Sequence, residues 1–151
     1  MKIEKVQAEI TNVNSRKENG EDGSRLASDI SVRFAVPRAV IDELFPGDSF
    51  TDQFYAGDDT ILEVVCPIIF GERVKDLRVK LHIGSKPMVF EASRIAEKMK
   101  LTPQSGQYIQ VECKLQVYPT TNESGKLDAA AQEWIDIEIS PMTDSILAAV
   151  A

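Results

Sequence analysis

The chain of 151 residues contains one histidine, one tryptophan and two cysteines. A single histidine, His82, limits imidazole-based proton shuttles and metal sites to one such ligand. Two cysteines cannot build a disulfide framework. Cys66 and Cys113 both sit inside apolar runs, where reduced thiols acting as small core hydrophobes are expected. No stretch approaches the roughly 18 consecutive apolar residues of a membrane-spanning helix, so no membrane partner is expected. The opening Met-Lys-Ile-Glu-Lys-Val alternates charged and apolar residues and lacks the apolar core of a secretory signal, which makes an intracellular, cytoplasmic protein the expectation. Gly-x-Ser-x-Gly, Walker-type, His-Glu-x-x-His and Cys-x-x-Cys motifs are all missing. The sequence therefore points away from an enzyme and implies no cofactor and no metal.

What is present suits one globular domain over residues 1–151, with 142–151 as a tail able to fray. Hydrophobic residues make up 43% and charged residues 27%. At this length a folded chain buries roughly 70% of its unfolded surface, so a core needs no covalent staple. Twenty-four acidic and seventeen basic residues give a net charge of -7, which argues against a general nucleic-acid coat or a cationic membrane binder.

Apolar and polar residues alternate along much of the chain, the signature of half-buried strands. Val6, Ala8 and Ile10 share one side of the segment 3–13. Asn19-Gly20 and Asp22-Gly23 mark residues 14–24 as a long hairpin loop. Ile30, Val32, Phe34 and Val36 form the apolar face of a second strand, expected to pair antiparallel with the first. Pro37, with Val40, Ile41, Leu44 and Phe45 at helical spacing, predicts a short helix over 37–45. Residues 48–59 are polar with apolar anchors and room for a short edge strand, and residues 61–66 read as a strand covered on both faces. Val79, Leu81 and Ile83 define another alternating strand. Ala92, Ile95, Ala96 and Met99 recur at i, i+3, i+4 and i+7 and predict an amphipathic helix over 92–100. Ile109, Val111, Cys113, Leu115 and Val117 then alternate without a break. Residues 119–133 read as a loop with a helical option at 127–132, and Ile135, Ile137 and Ile139 form a last strand. The expected fold is β-rich α+β: an antiparallel sandwich or partly open barrel of six or seven strands, its ends closed by the two short helices.

Charge is segregated. Residues 1–38 carry +1, 39–72 carry -8, 73–100 carry +5 and 101–151 carry -5. On their strand Arg78, Lys80 and His82 project from one face, and Arg94 and Lys98 stand one turn apart on the predicted helix. With Lys114, and with Tyr108, Tyr118 and Trp134 on the polar sides of their strands, they form a candidate single-stranded nucleic-acid surface. The competing reading is a neutralised face, with Asp136 and Glu138 pairing across strands to Lys114 or Arg78. A solvated surface role is the simplest reading of His82.

The loop carrying Phe50, Asp52, Phe54, Tyr55, Asp58 and Asp59 is the candidate contact for a protein partner, since interfaces favour aromatic anchors. Its simpler reading has Phe50 and Phe54 tying the loop to the core. With Asp48, these acids match no calcium-loop spacing. The run from Ser93 into the 108–118 strand resembles small phage-encoded accessory proteins, without a motif that assigns residue roles. The function expected is a non-catalytic interaction protein that binds another protein, with single-stranded nucleic-acid binding as the alternative; one sequence leaves the oligomeric state open.

Overall fold

Period-two alternation dominates the chain, and in the computed structural model it becomes one mostly antiparallel sheet of seven strands. The structure describes residues 2–20, 23–43, 50–55, 64–67 and 75–142. The strands are β1 (Ile3–Gly20), β2 (Gly23–Pro37), β3 (Val64–Pro67), β4 (Leu77–His82), β5 (Met88–Gln104), β6 (Tyr108–Val117) and β7 (Trp134–Pro141). Two α-helices, α1 (Arg38–Asp42) and α2 (Thr121–Ala129), and a 3-10 turn over Phe50–Tyr55 complete the described elements. The sheet order is β3-β5-β4-β7-β1-β2-β6, and β5 also pairs with β6. The sheet thus comes round on itself into a partly closed ring rather than an even barrel, and the β-rich α+β fold is as the alternation implies. Among the described residues no helix is long and apolar enough to cross a membrane.

The inward faces supply the core. Ile10, Ile30, Phe34, Leu81, Leu101, Ile109, Leu115 and Ile137 are all buried within it. Each such side chain contributes about 1.5–3 kcal/mol through removal from water. The strands β2, β4, β6 and β7 follow their predicted alternation, and β1 pairs antiparallel with β2 as expected.

The segment 92–100 is not a helix; it lies inside β5. Of the four residues at helical spacing only Ile95 and Met99 are buried, while Ala92 is exposed and Ala96 half-buried. The inward set along β5 is Met88, Phe90, Ser93, Ile95, Met99, Leu101 and Pro103, a period of two broken by irregularities. One falls between Phe90 and Ser93, where three steps on β5 oppose the two from Leu77 to Val79 and Ala92 adopts φ 54°. The other falls between Ala96 and Lys100, opposite Lys114 and Glu112. Bulges insert residues into the period, so a bulged strand imitates helical spacing. Pairing with β3, β4 and β6 then decides the conformation.

The expected long loop at 14–24 is strand as well. Pairing runs without interruption from Asn12–Ser31 to Gly20–Gly23, leaving only residues 21 and 22 between, which lie outside the described residues. Polar side chains hide this ladder from a hydrophobicity pattern but satisfy one another across it, as Ser15 does with Ser28 at 3.0 Å. The region 119–133 begins its helix at Thr121, earlier than the 127–132 option. Thr120 accepts from the Glu123 N–H at 3.2 Å, and the Glu123 carboxylate accepts from the Thr120 N–H at 2.9 Å, a reciprocal cap that starts α2 there. Near residue 50 the chain forms the 3-10 turn rather than an edge strand. Leu44, Phe45, Asp48, Asp58, Asp59, residues 61–63 and all of the expected tail at 142–151 after Met142 lie outside the described residues, as does the Cys66 side chain.

Candidate functional site

The ring splits between β1 and β2. Their ladder runs from Gly20–Gly23 to Ala8–Phe34 and ends there. Beyond it β1 continues on β7 alone, with Val6 opposite Ile137 and Ile3 opposite Ile139. β2 continues on β6, with Ala35 opposite Gln110, Val36 opposite Ile109 and Pro37 opposite Tyr108. Two local features accompany the divergence. β1 changes register against β7 between Ile3 and Val6, and β2 ends on Pro37, which has no N–H to donate and leads directly into α1. The resulting cleft has a volume of about 460 Å³. Ile3, Val6, Val36, Pro37 and Val40 form its apolar walls, Tyr108 stands at it 46% exposed, and the exposed Lys2, Glu4, Lys5 and Glu43 add charge of both signs.

The aromatic loop proposed as a partner contact serves this cleft from behind. Phe54 is 1% exposed, with the Phe50 ring edge-on to it at 5.4 Å, so Phe54 belongs to the core and not to a contact surface. Asp52 pairs with Arg38. Thr51, fully buried, donates its N–H to the Asp42 carboxylate at 2.8 Å and accepts from Arg38 Nε at 2.8 Å. The Tyr55 hydroxyl donates to the Tyr108 carbonyl at 2.6 Å, with the Gln104 carbonyl at 3.2 Å, while the Arg38 guanidinium lies over its ring. These contacts anchor α1 and the β5–β6 turn, and hold the backbone of exposed Tyr108 in place.

The basic candidates are dispersed and largely offset. Arg78, Lys80 and His82 do share the half-buried outer face of β4. Arg78 donates to Glu91 at 2.7 Å, His82 Nε2 lies 2.7 Å from Glu138, and Lys80 stands opposite Glu138 in the ladder. The His82 hydrogen bond, helped by the charge of Lys80 and Lys5 and opposed by desolvation, holds the Glu138 carboxyl below its ordinary range. Asp136 lies 3.9 Å from Lys5, so the partners of the two β7 acids are His82 and Lys5 rather than Lys114 or Arg78. Arg94 donates to Gln116, which in turn donates to Glu18 at 3.3 Å. With 92–100 in a strand, Arg94 and Lys98 do not stand one helical turn apart; both lie exposed on β5. Lys98 and Lys114 line a second, smaller cavity. Tyr118 lies under the Arg25 guanidinium at 3.7 Å, and Trp134 is 55% exposed on β7, three strands round the ring from Tyr108. The structure does not bring the three aromatics and the Arg78 face into one track.

Chemically, burial pushes the Cys113 thiol up to about 12, which makes it a poor nucleophile at neutral pH. Among the described residues no group of three or more His, Cys, Asp or Glu side chains is placed to hold a metal ion. The cleft escapes sequence reading because it arises from strands that meet only when the ring forms; its one local signal is Pro37 at the end of an alternating run. No protein-family model, curated protein or solved structure matches this chain.

Proposed function

We infer that the protein is a non-catalytic interaction module that takes an extended segment of a partner protein into the cleft between β1 and β2. The observation that carries this reading is the premature end of the β1–β2 ladder at Ala8 and Phe34, beyond which two strand edges face a cleft of about 460 Å³. Extended peptides bind such edges by main-chain hydrogen bonding, with alternate side chains entering pockets. Apolar walls supply affinity here, and Lys2, Glu4, Lys5 and Glu43 supply register and choice of partner. The described lining includes no serine, cysteine or histidine, which favours recognition over nucleophilic chemistry. Offsetting of Arg78 and His82 by Glu91 and Glu138 favours protein over nucleic acid as the partner.

The test is selection of short peptides from a random displayed library on the full chain, followed by amide NMR with the best binders. Shifts concentrated in residues 2–7 and 35–37, and loss of binding in Ala35→Arg with the spectrum otherwise retained, are the expected result. Peptides that bind elsewhere, or that bind Ala35→Arg equally well, would overturn it. Saturable, steeply salt-dependent binding of a thymidine oligonucleotide, with no peptide selected, would put the nucleic-acid reading in its place.

A further inference from the structure

The β1–β2 cleft is closed at one end. Its two strands part from a complete ladder at Ala8–Phe34, so a third strand laid between them runs into the fork. Both faces of the sheet are blocked there. Ala8 and Phe34 fill the core side, and on the outer side the Glu9–Arg33 ion pair spans the next rung at 2.8 Å, with Arg33 also 3.6 Å from Glu112. Backbone direction shows what a strand end would meet. The Ile10 N–H donates to the Glu133 carbonyl at 2.9 Å, so Ile10 turns its main-chain groups toward the β7 side. Successive residues alternate, which turns Glu9 to β2, Ala8 to β7 and Gln7 to the cleft. On β2 the count starts from the other end: the Arg38 N–H donates to the Gln107 carbonyl at 3.0 Å, so Pro37 and Ala35 face the cleft and Val36 faces β6. The two counts agree. Gln7 and Ala35 stand where the next bonded pair of the ladder belongs, and each presents a carbonyl and an N–H to the cleft instead, unpaired with any strand among the described residues.

We propose that the cleft takes the free amino end of a partner chain, laid antiparallel along β1 with its ammonium group at the Gln7 carbonyl. This inference rests on the peptide reading above and narrows it to one end of the partner. An internal segment would have to leave the sheet at the fork, where the core and the Glu9–Arg33 pair stand in its way. β1 sets the direction. Its open edge covers residues 3–7, whereas that of β2 covers only residues 35–37 and ends on Pro37, which cannot donate. Antiparallel pairing is the stronger kind, and β1 runs toward the fork, so an antiparallel partner brings its amino end there. Gln7 points its carbonyl to the fork side, ready to accept from an ammonium group. Charge agrees with that end. The chain carries -7, and residues 39–72, whose first part is α1 at the cleft, hold eight acids and no base. A field of that sign draws in an ammonium group and repels a carboxylate. Lys2 and Lys5 line the same stretch with Glu4 between them, and Asp136 lies 3.9 Å from Lys5. At roughly 3.4 Å per residue the open edge of β1 spans about 17 Å, room for an end of about five residues.

The experiment uses the full chain and a synthetic pool of heptapeptides, randomised over Ala, Val, Ile, Ser and Thr in the first four positions and ending in a constant Gly-Ser-Lys amide. The pool is made with a free amino end, with an acetylated amino end, and with Gly-Ser-Gly-Ser placed ahead of the random positions. A reversed pool carries the random positions last, before a free carboxyl end. Members retained by the protein are identified by mass spectrometry and titrated singly by amide NMR. Free-amino members are expected to shift residues 3–7 and 35–37, with contacts from the first peptide residue to Gln7 and from later ones toward Ile3. They should bind about tenfold or more tighter than their acetylated and extended forms, which lose the charge-assisted hydrogen bond. Extended forms that bind as tightly, at the same residues, would overturn the free end and leave the peptide reading standing. Binding at these residues from the reversed pool alone would overturn the direction and again leave that reading standing. If no pool shifts residues 2–7 or 35–37, the peptide reading itself fails and this inference fails with it.

Discussion

The two ends of the β1–β2 pair both turn apolar residues inward and behave differently. From Ala8–Phe34 to Gly20–Gly23 the strands are laddered, with Ile10, Ile30, Val32 and Phe34 in the core and the outer face strapped by Glu9–Arg33 and Arg16–Asp29. From Ile3 to Gln7 and Ala35 to Pro37 each strand keeps only its other neighbour, β7 or β6. Inward apolar residues are present in both, Ile3, Val6 and Val36 in the open half, so burial of one face does not decide whether two edges meet. Backbone geometry at the strand ends does: a register change in β1 and a proline that closes β2. Stability concentrates where the ladder is complete, and a place to add a strand is left where it fails.

The sharpest way to break that comparison is to truncate one apolar side chain in each half. Phe34→Ala in the laddered half should cost about 3–5 kcal/mol, the range for emptying a buried aromatic site. Val6→Ala in the open half, where the side chain is half-buried, should cost about 1 kcal/mol or less. Denaturant midpoints at unchanged slope measure both. Equal losses would mean that the open half is as much a part of the cooperative core as the other.

A smaller effect tests the outer strap of the laddered half. Arg16 donates to Asp29, and to Glu18 at 2.9 Å, and the Asp29 hydrogen bond raises the Arg16 pKa above its ordinary value. The other Asp29 oxygen, Oδ1, is buried with no hydrogen-bond partner. Arg16→Leu strips that carboxylate of its cation while leaving it desolvated, at a cost of about 1–3 kcal/mol. Adding Asp29→Ala to Arg16→Leu should restore part of the loss in a double-mutant cycle. If the two changes simply add, the pair contributes nothing to the ladder.

Strands β6 and β5 lie side by side and mark the border of what the sequence discloses. From Ile109 to Val117 every second residue turns inward, and a period of two is sufficient to find both the strand and its wet face, including exposed Tyr108 at its start. In β5 the same physics is hidden, because bulges answer to neighbouring strands that the sequence does not name. The opposite failure occurs at Thr120 and Glu123, whose capping-box spacing is local and readable yet sits in a stretch that composition marks as loop. For the charged faces, Arg78 and His82 take their side of β4 as alternation predicts. Their neutralisation depends on which strand lies next to β4, and that is set by ring closure.

The smallest expected effect concerns β7, the strand that holds the open half of β1 in place. On its outer face the His82 hydrogen bond keeps the Glu138 pKa below the ordinary value, and Lys5 of β1 lies near Asp136 of the same strand. A carboxyl with a lowered folded-state pKa adds stability that is fully present above its unfolded value, about 4.3 for glutamate, and is lost as pH falls through the lowered folded value. Acid should therefore loosen β7 and the residues of β1 that depend on it before it touches the laddered half. Site-resolved NMR titration should place the Glu138 midpoint below the ordinary range in the parent and move it upward in His82→Leu. Amide exchange on the acid side should rise first at residues 3–7 and only later at residues 8–20. An unmoved Glu138 midpoint in the variant would detach His82 from this role, and simultaneous loss of protection across β1 would show that the ring opens as one unit.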